Sequence, residues 1–324
     1  MIEMNEWIEL QANSTLAFPP ECWAEVRPNA RTAEIRRRLR DTPRQIDVER
    51  ARYTTRSYQR TEGQPMPIRR AMMLLDLARQ LSIAIYPDEL IVGNRSMLPR
   101  MGVIAPEGAV DWVDRELEGL PTRPQDPFDI TPEQIRELRE ELFPYWRGKT
   151  LEDTVAARVP ADVAAAVWGR AFSLNQTDHA QGHILPDVEG WLRLGIGGLR
   201  KQVEAARGRS ATAVPEQSIL SGGMRGVQAV VEGCDFCADG RILRLHSAHD
   251  APFRSGCSAI TEQAQQIFYD TALIELDAAA TFICRYADLA ETMAADAEPL
   301  RRAELLEIAG VCRWLAEHPA RDFR

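Results

Sequence analysis

The chain has 324 residues, enough for one large domain or two ordinary ones, and its 45% hydrophobic and 27% charged content is that of a globular protein rather than a disordered one. A net charge of −9 argues against a nucleic-acid partner, because phosphate binding needs a surplus of Lys and Arg on one face. No apolar run is long enough to span a bilayer, and the acidic start Met1-Ile2-Glu3 is unlike a secretory leader. The expectation is a cytoplasmic protein without a membrane partner, in which the six scattered cysteines are reduced thiols.

Residues 1–30 show little periodicity, contain Pro19-Pro20 and Pro28, and read as a lead-in arm. Helical character begins at Arg31. The basic stretch Arg36–Arg40 is interleaved by Glu34, Asp41 and Glu49, so it reads as a solvated helix face. Pro67 suits the start of a helix, and Ile68, Met72, Leu75, Ala78 and Leu81 then make an apolar stripe. Ile83, Ile85 and Leu90-Ile91-Val92 have strand character, split by a turn at Tyr86-Pro87-Asp88 and ended by Gly93-Asn94. Thr131, Pro132 and Gln134 form a capping-box pattern that opens a helix, and Pro144 should stop it near Phe143. Met66, Met72, Met73, Trp112, Trp146 and Trp168 read as core packing.

A further helix follows Gly182-His183-Ile184-Leu185-Pro186-Asp187 and runs through Trp191, Leu194, Leu199 and Val203. Gly195-Ile196-Gly197-Gly198 hints at a phosphate loop, but no strand precedes it and the apolar stripe continues through it. A close-packed helix position is the better reading. Residues 208–260 are rich in Gly, Ser and Ala and poorly periodic, and read as an atypical insertion. Helical sequence resumes near Thr261, and a last helix, Leu300 to Leu315, breaks at His318-Pro319. The chain is therefore mainly α with a few short strands, organised as an arm (1–30), a helical region (31–207), the insertion (208–260) and a second helical region (261–324).

Several segments in order carry a family resemblance: Glu49-Arg50-Ala51-Arg52-Tyr53, Thr61-Glu62-Gly63-Gln64-Pro65, Ile68-Arg69-Arg70-Ala71 and Pro87-Asp88-Glu89-Leu90-Ile91-Val92-Gly93-Asn94. So do Leu117–Pro124, Phe143–Thr150 and Gly182–Asp187. Together they resemble the N-terminal portion of the glycyl radical enzymes, the pyruvate formate-lyase superfamily, and its eliminase branch in particular. The resemblance covers roughly 45–207 and 261–324. It implies the N-terminal part of a ten-stranded α/β barrel.

The resemblance also implies a chemistry. A backbone glycyl radical is installed by a separate activating enzyme that uses S-adenosylmethionine and an iron–sulfur cluster. It takes hydrogen from a cysteine, and the resulting thiyl takes hydrogen from substrate. A neighbouring Glu assists loss of water, amine or sulfite. The family carries the cysteine in a Gly-Cys-x-Glu loop and the glycine in an Arg-Val-x-Gly segment, and residues 1–324 hold neither. Arg158-Val159-Pro160-Ala161 has Ala in place of the glycine, while Gly233-Cys234-Asp235-Phe236 and Gly256-Cys257-Ser258-Ala259 lack the Glu.

Two groups of residues remain as candidates for chemistry. In the eliminases the Gly-His segment approaches the substrate cavity, so the resemblance implies substrate contact for His183, with His179 and Asp187 beside it. His183 would bind a substrate hydroxyl or shuttle a proton, or it satisfies a loop carbonyl. Cys234-x-x-Cys237 with His246-x-x-His249 offers two thiolates and two imidazoles for a tetrahedral Zn²⁺, or free thiols in the insertion. The leading reading is a truncated or split lyase that binds no cofactor directly and is silent unless a second polypeptide completes the barrel. That partner would be the missing C-terminal half or a full-length homologue. A non-catalytic regulatory module that pairs with full-length homologues, or a zinc-binding module, stands as the alternative.

Overall fold

The computed structural model describes residues 29–169, 171, 186–212 and 254–322. The lead-in arm up to residue 28 and most of the 208–260 segment lie outside the described residues, which are mainly helical. The elements run in the order α1 Ala30–Asp41, β1 Gln45–Asp47, α2 Glu49–Arg60, α3 Met66–Gln80, β2 Met101–Val103, α4 Asp111–Glu116 and α5 Pro132–Glu137. A π-helical turn, Leu138–Leu142, leads into α6 Phe143–Trp146, followed by α7 Leu151–Ala156 and α8 Ala161–Trp168. Three longer helices follow: α9 Val188–Thr212, α10 Arg254–Ala295 and α11 Pro299–Leu315.

α1 begins where the Asn29 side chain accepts from the Thr32 N–H, and none of its residues is buried, as expected of a solvated basic helix. Its arginines reach outward to acids: Arg37 pairs with Glu34 and Asp41, Arg38 with Asp88, and Arg31 with Glu304. The two strands are parallel, with Gln45 opposite Met101, Ile46 opposite Gly102 and Asp47 opposite Val103. Between them the chain makes the crossover that parallel pairing requires, through α2 and α3. Gly102 fits closely here: a Cβ would lie 2.9 Å from the Phe128 ring and 3.2 Å from Ile46 Cδ1, so those side chains would have to give way.

Three apolar clusters hold the helices together. Ile46, Val48, Ala51, Tyr58, Met73, Leu77, Leu138, Phe143 and Trp146 form the first, around the strand pair. In the second, Tyr286, Ala287, Ala290 and Ala294 of α10 meet Leu305, Ile308, Ala309 and Cys312 of α11. The alanines leave room for the two helices to approach closely. α3 joins the clusters, since Met73 and Leu77 face the first while Leu75 and Ala78 pack on Ala278 of α10. Of the predicted stripe, Leu75, Ala78 and Leu81 are buried, and Ile68 and Met72 are half-buried.

Four expectations need correction. Ile83, Ile85 and Leu90–Val92 form no strand; the strands are at 45–47 and 101–103 instead. Ile85 is buried, with Ile83 and Val92 beside it in the α10–α11 cluster, whereas Ile91 is 71% exposed. Arginine side chains satisfy the backbone there in place of a neighbouring strand. Arg301 donates to the carbonyls of Tyr86 and Glu89 at 3.0 and 2.9 Å, and Arg285 to that of Leu81 at 2.7 Å.

The capping box at Thr131 forms as predicted, with the Thr131 hydroxyl accepting from the Gln134 N–H and the Gln134 side chain accepting from the Thr131 N–H. Pro144, however, does not stop the helix. The ladder widens to a π turn in which the Phe143 N–H donates to the Leu138 carbonyl, and Pro144 then enters the first turn of α6, where its missing N–H costs nothing. Likewise, α9 is not one continuous helix, because Gly195 sits at φ 61, ψ −177 and breaks it. Finally, Met73 and Trp146 are core residues, but Met66 and Trp112 are more than half exposed; the Trp168 side chain lies outside the described residues.

Candidate functional site

Of the residues singled out by sequence, Asp187 alone is described. It is exposed and immediately precedes α9, where its Oδ1 accepts the Gly190 N–H at 2.9 Å, which is the geometry of a helix cap. His179 and His183 lie outside the described residues, as do Cys234, Cys237, His246 and His249. Among the described residues no group of three or more metal-ligating side chains comes together.

What the described residues do build is an open face beside β2. β1 is paired on both sides, with β2 along one edge and Asp129 at the other through the bridge at Gln45. Among the described residues, β2 has β1 on one side only. Next to Val103 of β2, α3 and α10 line a cleft of about 340 Å³, with Leu74, Leu77, Ala78 and Phe282 as its apolar part and Arg50, Arg95 and Glu275 as its charged part. Leu74 and Val103 remain exposed, so this apolar surface is only partly covered. Glu275 stands at the rim, and the apolar surroundings push its carboxyl above the ordinary carboxylate range, while Arg70 pulls the other way.

The floor of this face is fixed by polar anchors spread across the chain. Glu49 accepts from the backbone N–H and the hydroxyl of Ser82, both at 2.8 Å, which ties the start of α2 to the end of α3. Arg285 of α10 donates to the carbonyls of Ala78 and Leu81, both at 2.7 Å, so a cation caps the carboxyl end of α3. Arg50 holds Glu107 through both guanidinium nitrogens. The Tyr286 hydroxyl donates to the Asn94 carbonyl, and burial pushes that phenol up to about 12, which keeps it a proton donor. Sequence reasoning missed this face because its residues come from four separated segments and share no motif.

A family profile described as pyruvate formate lyase-like matches residues 22–242 and 248–324. The match thus continues well into the stretch that reads as an insertion. Isethionate sulfite-lyase of Desulfovibrio desulfuricans is 30% identical over 287 residues, which cover 86% of this chain and 29% of that protein. (2S)-3-sulfopropanediol dehydratase of Klebsiella oxytoca is 28% identical, covering 89% of this chain and 30% of that one. Among solved structures, the 1,2-propanediol-dehydrating enzyme of Roseburia inulinivorans superposes with a TM-score of 0.70 at 27% identity, over 91% of this chain and 30% of its own. A glycyl radical enzyme from Archaeoglobus fulgidus gives 0.67 at 27% identity, over 88% of this chain and 31% of its own. The chain spans about 30% of the length of the relatives it matches. No described helix is long and apolar enough to cross a membrane. The chain belongs to the pyruvate formate lyase-like family of glycyl radical enzymes, matches its dehydratase and sulfite-lyase members, and corresponds to their N-terminal portion.

Proposed function

We propose that this chain supplies the N-terminal helical shell and first parallel strand pair of a glycyl radical lyase. Its substrate would be a small alcohol carrying a leaving group, water or sulfite, on the adjacent carbon. The thiyl cysteine and the radical glycine would come from the rest of the length that the relatives possess, on the same polypeptide or a second one. The radical would be installed by an activating enzyme that uses S-adenosylmethionine and an iron–sulfur cluster. His183, with His179 and Asp187, would face the substrate hydroxyl.

The observation that carries this reading is the family match over 86% of this chain but only 29% of the sulfite-lyase. The half-covered apolar face beside β2, which among the described residues pairs only with β1, supports it. Residues 1–324 contain neither the Gly-Cys-x-Glu loop nor the Arg-Val-x-Gly segment. A sulfur radical needs a closed, water-free cavity, which this face lacks unless something covers it.

The test is complementation. Residues 1–324 are purified anaerobically alone, and together with a polypeptide carrying the two loops from a sulfite-lyase relative. Each sample is then treated with the activating enzyme. Electron paramagnetic resonance should show a glycyl doublet only in the mixture, with sulfite or water eliminated only there. A complex that forms but never gains a radical would favour a regulatory pairing module instead. Turnover of a diol or sulfonate by residues 1–324 alone would refute the proposal.

A further inference from the structure

We propose that a second cleft, between Arg44 in the turn after α1, Phe128 and the 94–101 loop, binds one small organic oxyanion, a sulfonate or phosphate monoester, through Arg95 and Arg100. The cleft measures about 360 Å³ and brings Arg44, Arg95 and Arg100 together with Ser96 and Phe128. Three guanidinium groups in one cleft are conspicuous in a chain of net charge −9. Their charges are not equally committed. Arg44 is neutralised by Asp126 at 2.6 Å. Arg100 instead donates to two backbone carbonyls, those of Arg40 at 3.3 Å and Thr42 at 3.1 Å. Carbonyls fix the side chain without cancelling its charge. Arg95 lines this cleft and also the one beside Val103 that holds Glu275, and it makes no ion pair among the described residues.

The loop that carries Arg95 is pinned on both sides. The Tyr286 hydroxyl holds the Asn94 carbonyl, the Ser96 hydroxyl donates to Asp47 and accepts the Leu98 N–H, and the Tyr86 hydroxyl donates to the Met97 carbonyl. Ser96 is itself 1% exposed. Two cations thus stand on rigid supports facing a common space, and ligand binding need not order that loop first. The planar fork of a guanidinium suits the oxygen edge of a tetrahedral anion. The Phe128 ring, with Arg44 and Arg123 at 6.0 and 5.4 Å from its centroid, gives the organic part an apolar wall. Every lining residue of this cleft belongs to residues 1–324, so that chain can be titrated by itself.

Calorimetric titration at low ionic strength, with methanesulfonate and with methyl phosphate as separate probes, should reveal one saturable site. Whichever probe binds more tightly identifies the headgroup. Arg95→Gln should weaken binding about tenfold, the loss expected for one charge-assisted contact, and Arg100→Gln by at least as much. Arg115→Gln, an exposed change on α4, should leave affinity unaltered. Arg95 is exposed, so its variant should melt like the parent even if Arg100→Gln, which unties the end of α1, does not. No saturable binding with either probe, or equal weakening by Arg95→Gln and Arg115→Gln, would overturn the proposal.

Discussion

The backbone N–H of Gly197 donates to the carbonyl of Glu317 at 2.9 Å, so the break in α9 docks on the end of α11. The approach is closer than any side chain permits. A Cβ on Gly197 would collide with the Glu317 carbonyl oxygen, and one on Gly195 with the backbone of His318 and Pro319. Gly195 also occupies the left-handed region, φ 61. The glycines therefore fasten the long helices to one another rather than cradle a phosphate.

Gly195→Ala and Gly197→Ala should each destabilise the fold by roughly 1–3 kcal/mol, through strain and forced separation of α9 from α11. Gly310, inside α11, has open space around its missing Cβ. Gly310→Ala should stabilise by about 0.5–1 kcal/mol, because alanine is the better helix former. Urea unfolding of the three variants provides the comparison, and equal effects would contradict the docking argument.

Trp146 is 2% exposed, and its indole N–H donates to the Thr55 hydroxyl at 2.9 Å, which in turn donates to the Ala51 carbonyl at 2.7 Å. Trp146→Phe keeps most of the packing but removes that donor, at a cost of about 1–2 kcal/mol. Trp146→Ala empties the centre of the first cluster and should cost about 3–5 kcal/mol. Chemical denaturation followed by far-ultraviolet dichroism separates the two.

Arg285 caps the carboxyl end of α3 from α10, with both nitrogens on backbone carbonyls. Arg285→Met keeps the stem and leaves those carbonyls without their cation. A loss of about 1.5–3 kcal/mol is expected. Amide hydrogen exchange should quicken in the last turn of α3 before it does in α2. Uniform acceleration would argue against a local capping role.

The Glu304 carboxyl is held below its ordinary value of 4.5, first by hydrogen bonding to Arg31 and then to Arg301, against a smaller opposing effect of burial. Because the folded value is the lower one, the unfolded chain takes up the proton first as pH falls. The stabilisation is present above about 4.5 and is lost as pH drops through the folded value. Glu304→Gln should therefore lower stability near neutral pH and flatten the acid limb of the stability profile below 4.5. Melting temperatures across that range, with the variant tracking the parent in slope, would disprove the link.

Local chemistry made parts of this molecule readable in advance. The capping box at Thr131–Gln134 needs only residues three apart, and the box at Thr150–Asp153 carries the same local signal. The solvated basic helix was likewise visible from its interleaved acids. The segment 83–92 is ambiguous in sequence because β-branched residues suit a pleated surface and a helix–helix groove alike. Which one they meet depended on Arg301 and the α10–α11 groove, some two hundred residues away. The long helix α10 has only a weak amphipathic pattern, and its neighbours α3, α9 and α11 assign its sides their roles.

From the order and spacing of short motifs, the sequence by itself determined the family, the predominance of helix and the absence of both radical-bearing loops from residues 1–324. Each of these is encoded within a few neighbouring residues. Only the tertiary structure decided where the strands pair, how α9 bends, and that Arg44, Arg95 and Arg100 share one cleft. Those outcomes depend on contacts between distant segments, where close packing and backbone hydrogen bonding outweigh local preference.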